Sequence, residues 1–99
     1  DSGVHVDRQA ALAWLERAAR QGYPEALFVL GDLHFRGGGR PADPVAAWAY
    51  FRLAEEGGIP EAGPNRRAVE ARLLASERQQ AIASARQIAA AIRRETIDE

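Results

Sequence analysis

Apolar residues recur along this chain at helical spacing, in blocks separated by glycine and proline. In the first block, Arg8 to Gln21, Ala11, Trp14, Leu15, Ala18 and Ala19 fall on one face of a helix. Asp7 stands before it as an N-cap, and Gly22 follows where a left-handed residue ends a helix cheaply. Pro24 opens a second block to Arg36, containing Ala26, Leu27, Leu30, Leu33, His34 and Phe35. Gly31 in its middle costs about 1 kcal/mol of helix stability against alanine, a loss tolerated where two helices approach closely. Gly37-Gly38-Gly39 ends that helix. Asp43 and Pro44 then supply a cap and a first helical residue for a third helix to Glu56, with Trp48, Phe51 and Leu53 as its bulk. Gly57-Gly58 stops it, and a fourth helix is expected over Asn65 to Leu74. Ser76 with Gln79 has the spacing of a capping box, opening a last helix to about Arg94. Its narrow apolar stripe is Ala81, Ala85, Ile88 and Ile92.

The blocks repeat. Gly3, Asp7, Ala10-Ala11, Ala13, Trp14, Ala18, Gly22 and Pro24-Glu25-Ala26 recur 36 residues on. There they read Gly39, Asp43, Ala46-Ala47, Ala49, Tyr50, Ala54, Gly58 and Pro60-Glu61-Ala62. A period in the mid-thirties marks an array of helical hairpins, in which each unit buries its apolar face only by stacking on a neighbour. Beyond Ala62 the repeat decays: Arg66-Arg67 stand where Leu30-Gly31 stood, and no glycine-rich link follows. The expected organisation is a single domain over 1–99. It divides into a half repeat (3–22), a complete repeat (24–58), a degenerate repeat (60–75) and a capping helix (76–95).

Composition narrows the chemistry. With 99 residues the chain is one domain, and with no cysteine it has neither disulfides nor thiolate metal sites. All 13 basic residues are arginine. They are placed unevenly: residues 66–94 carry seven arginines against Glu70 and Glu77, whereas the remainder of the chain is acidic. Spread along a segment, such charges read first as a solvated helix face, and second as attraction for an acidic partner. No apolar run is long enough to span a membrane.

Ala26, Leu30, Gly31, Gly37, Gly39, Asp43, Ala47, Tyr50, Phe51, Ala54 and Gly58 together resemble the pattern of Sel1-like repeats, relatives of tetratricopeptide repeats with a slightly longer unit. His34 stands where that family usually has tyrosine, and Arg40 where it has valine. The resemblance covers about residues 3–92 and implies an all-α, right-handed α-solenoid of antiparallel helix pairs. It also implies an adaptor of bacterial regulation, envelope assembly or host interaction, with no shared catalytic residues and no cofactor. Because the chain enters the pattern halfway through a unit, a fragment of a longer array is expected, with compartment open between periplasm and cytoplasm.

The expected function is therefore a protein–protein interaction scaffold within a larger bacterial protein. By the resemblance, Glu25, Phe28, Asp32, Phe35 and Arg36 face the inner surface and form a candidate groove for a partner polypeptide, with aromatic anchors in a polar rim. The alternative is a homo-oligomerisation or regulatory tail, in which Leu12, Trp14 and Leu15 of the first helix meet a second copy in a homodimer. His34 sits at a core aromatic position, so packing outweighs a pH-switch reading. The three glycines at 37–39 follow a helix and lack a Gly-Lys-Ser/Thr ending, unlike a phosphate-binding loop. Ser2, Ser76 and Ser84 have no evident His and acid around them, so catalysis is not expected. Nucleic-acid binding through Arg66, Arg67, Arg72, Arg78, Arg86, Arg93 and Arg94 is disfavoured, since that segment holds no aromatic for stacking bases.

Overall fold

A computed structural model describes residues 3–37 and 41–97, and Gly38, Gly39 and Arg40 of the glycine-rich link lie outside it. Among the described residues five helices run in order: α1 (Gly3–Arg20), α2 (Pro24–Arg36), α3 (Pro44–Glu56), α4 (Ala62–Glu70) and α5 (Ala75–Ile97). There is no strand among the described residues. Helix α3 is the centre of the stack, packed on α2, α4 and α5, while α1 leans on α2 and on the far end of α5.

The local chemistry of the turns explains most boundaries. Asp43 has φ −135° and ψ 85°, outside the helical region that a following proline disfavours, and its side chain accepts a hydrogen bond from the Ala46 N–H at 3.1 Å. Gly22 and Gly58 adopt φ of 89° and 100°, the left-handed stop expected at both. Three expected starts are corrected. Helix α1 begins at Gly3, so Asp7 lies inside it and is not its cap. His5 and Arg8 occupy the places of Pro41 and Pro44, so nothing halts the helix as proline does one repeat later. Helix α4 begins at Ala62 and ends at Glu70, not Asn65 to Leu74. Pro64 falls within its first turn, where a missing N–H is harmless, and tight turns at Arg72 and Leu73 then fold buried Leu73 into the core. Finally, α5 is capped by Glu77, whose carboxylate accepts the Leu74 N–H at 2.9 Å; Ser76 is an exposed residue within the helix.

Two apolar clusters meet across α3. Ala19, Ala26, Leu27, Leu30, Ala54 and Ala62 pack between the first hairpin and α3. Trp48, Phe51, Val69, Leu73, Ala81 and Ala85 pack between α3 and the last two helices. Gly31 lets α2 and α3 touch, because a Cβ there would lie 2.8 Å from the Phe51 ring. At 23 residues α5 is about 34 Å long, enough to cross α3 and reach the first hairpin. There Ile92 packs at Gly22, and Glu95 pairs with Arg20 at 3.6 Å. Among the described residues, no helix is long and apolar enough to cross a membrane.

Candidate functional site

Helix α2 is fixed at both ends, by Pro24 in its first turn and by left-handed Gly37, whose N–H returns to the Leu33 carbonyl at 2.8 Å. Between it and α4 lies a recess of about 350 Å³. Asp32, Phe35 and Arg36 line its α2 side, with Asn65 and Ala68 of α4 opposite and Phe51 below. The Arg36 Nε donates to Asp32 Oδ1 at 2.9 Å across one helical turn. The Arg72 guanidinium sits 5.0 Å from the centre of the Phe35 ring, a cation–π contact that holds the phenyl at the rim. Of the five residues that the resemblance assigns to the inner face, three thus come together. Glu25 is exposed but does not line this recess, and Phe28 is drawn inward against Phe51, with ring centres 5.6 Å apart.

An ionic cluster ties α3 to α4, and the sequence did not announce it. Arg66 donates to Glu55 at 2.7 Å and to Glu70 at 3.1 Å, with its side chain only 15% exposed. The Trp48 indole N–H donates to the same Glu70 oxygen at 3.2 Å. The hydrogen bond from Arg66 holds the Glu55 carboxyl below its ordinary range. Arg66 is thereby an internal strut between α3 and α4 and not a solvated charge. The i,i+4 spacing of Arg66 and Glu70 was the one trace of this in the sequence.

The first helix offers a second surface. Trp14 is 69% exposed, with the Arg17 guanidinium 5.8 Å from its ring centre. Leu12 and Leu15 are half-buried against the first cluster, so the face left to solvent narrows to Trp14 with Ala11 and Ala13. One repeat later, Tyr50 occupies the place of Trp14, and there it is half-buried and stacked on His34. Burial raises the Tyr50 pKa, with the nearby Glu16 carboxylate adding to the rise and Arg20 opposing it.

Comparison with known proteins agrees with this architecture. The family model described as Sel1 repeat matches residues 1–23 and 24–59. Among solved structures, the chain is similar to c5321, a protective antigen present in uropathogenic Escherichia coli strains displaying an SLR fold. The TM-score is 0.75 at 31% sequence identity, over 92% of this chain. That match spans 21% of the antigen, so this chain corresponds to about a fifth of its length. With two matched repeats in register and the same helical stack, the chain belongs to the Sel1 repeat family.

Proposed function

We propose that this chain is a protein–protein interaction module of a larger bacterial scaffold or regulator, holding a partner polypeptide in the recess between α2 and α4. Sel1 repeats are a scaffold for such contacts, and the observation that carries the assignment here is Phe35. Its ring lies at the rim of a recess beneath Arg72 and beside the Arg36–Asp32 pair. An aromatic anchor bordered by adaptable charged groups is the arrangement that concentrates binding energy at protein interfaces. Glu25 extends this face toward the start of α2, and Phe28 supports it from below. The arrangement includes no convergent nucleophile, base and acid, so the proposed role is binding and not catalysis. Photo-crosslinking tests the assignment: benzoylphenylalanine at Asp32 should capture a polypeptide partner, while the same probe at exposed Gln87 should not. Equal capture at both positions would contradict it.

A second reading is favoured by Trp14 alone. A large ring exposed where its repeat equivalent is stacked fits a face that another polypeptide covers, either a second copy of this chain or a further helical pair.

A further inference from the structure

A cleft of about 540 Å³ opens between α3, α4 and α5, on residues that neither proposed surface uses. Its walls include Trp48 and Leu53 of α3 and Ala85 and Ala89 of α5, with Ile82 37% exposed at the mouth. Next to it, sharing Arg66 and Glu70, a shallower recess is lined by Arg67 and Arg78. Arg78, Ile82 and Arg86 are four residues apart, so they form one stripe along α5, an aliphatic residue between two guanidinium groups.

The carboxylates of this region are already engaged within the chain. Glu55 and Glu70 hold Arg66, Glu56 accepts from Arg52 at 2.8 Å, and Glu77 caps the Leu74 N–H. Arg78 and Arg86 are exposed, and among the described residues neither has a carboxylate partner, whereas the Arg67 charge acts on Glu55. An apolar cleft bordered by uncompensated positive charge selects ligands that are apolar in the middle and negative on either side.

We infer that this cleft is a second docking surface, which takes an acidic polypeptide segment carrying an aliphatic anchor. The anchor packs on Ile82, Leu53 and Ala89, and flanking Asp or Glu side chains meet Arg78 and Arg86. The inference rests on the interaction-module reading for the class of partner but on different residues for the site. A nucleic acid fits less well: the ring in the cleft, Trp48, is 7% exposed and presents no face for stacking bases. The large exposed rings, Trp14 and Tyr23, belong to the first hairpin.

Random-peptide display against the chain, followed by fluorescence anisotropy of the recovered peptides, tests this. Peptides with acidic residues around an aliphatic centre should be enriched, and their affinity should fall as salt rises. The pair Arg78→Glu and Arg86→Glu should weaken them about tenfold or more, and the milder Arg78→Gln with Arg86→Gln should act in the same direction. Arg94→Glu with Gln80→Glu and Gln87→Glu makes an equal change in net charge on the opposite side of α5, and should leave binding within about twofold. Equal loss with both sets would reduce the effect to diffuse charge and overturn the site. Tighter binding of a single-stranded oligonucleotide, lost through the same arginines, would overturn the partner class. Peptides insensitive to Arg78 and Arg86 but lost on replacing Asp32 and Phe35 would overturn this inference and leave the α2–α4 recess standing.

Discussion

His34 and Tyr50 lie face to face, their ring centres 5.4 Å apart and their planes within 6° of parallel. The stack joins α2 to α3 within the complete repeat, at a position where imidazole replaces the family's usual tyrosine. Stacked rings contribute about 0.5–1.5 kcal/mol beyond their buried area. His34→Ala should therefore lower the melting temperature by several degrees, since about 1 kcal/mol shifts a domain of this size by roughly 4–8 °C. His34→Tyr should retain the wild-type value within a few degrees, measured by circular dichroism. A large loss with tyrosine would show that the imidazole's polar atoms, and not its ring, hold the site.

Gly31→Ala sets two effects against each other. Alanine gains about 1 kcal/mol in helix propensity, but its Cβ would come 2.8 Å from Phe51 in the core. Overpacking typically costs about 1–3 kcal/mol, so net destabilisation by urea is expected. Trimming the ring with Phe51→Leu should make the glycine replacement less harmful than it is in the parent chain. Additive losses in that double mutant would indicate that the ring is not the obstacle.

The two shifted groups predict opposite ends of the pH profile. Glu55 ionises below its ordinary value of 4.5 because Arg66 hydrogen-bonds its carboxylate. Its contribution is fully present above that value and is lost as pH falls through the folded one, so Glu55→Gln should flatten the acid limb of stability. Tyr50 is raised above 10.0 by burial. Its contribution is present below 10.0 and is lost as pH rises through the folded value. The chain has two tyrosines, so in a Tyr23→Phe variant ultraviolet titration reads Tyr50 alone. Its midpoint should lie above 10.0.

Within the α2–α4 face, packing separates anchor from support. Phe28 touches both core clusters, so Phe28→Ala should cost about 2–4 kcal/mol of stability, somewhat less than a fully buried phenylalanine. Asp32→Ala with Phe35→Ser removes groups at the rim and should weaken partner binding while retaining helicity. Thermal melts beside binding measurements distinguish the two, and a double variant that unfolds would show that folding needs the contact of Phe35 with the second cluster.

Helix number and type were legible in this sequence because glycine and proline punctuate a strong apolar period. The boundaries were legible only where those residues act. Asp43 is pinned between Pro41 and Pro44, whereas Asp7 has neither proline and is overrun by α1. At α5, Ser76 with Gln79 has the spacing of a capping box, but the turn that buries Leu73 starts the helix at Ala75, and Glu77 accepts the Leu74 N–H instead. The inner face was assigned by the resemblance, which cannot say which positions α4 covers. Hence Phe28 packs on both clusters, while Phe35 packs on the second alone and also reaches the rim. Arg66 read as one basic residue among seven, because its carboxylate partner Glu55 lies 11 positions back on another helix.

Light scattering behind a size-exclusion column, over a wide range of concentration, separates a module that holds a foreign polypeptide from one that pairs with itself. A monomer of 10.8 kDa at every concentration is predicted, with tryptophan emission unshifted as the protein is concentrated. A concentration-dependent dimer that Trp14→Ser returns to monomer would contradict the adaptor reading and assign the first helix to self-association.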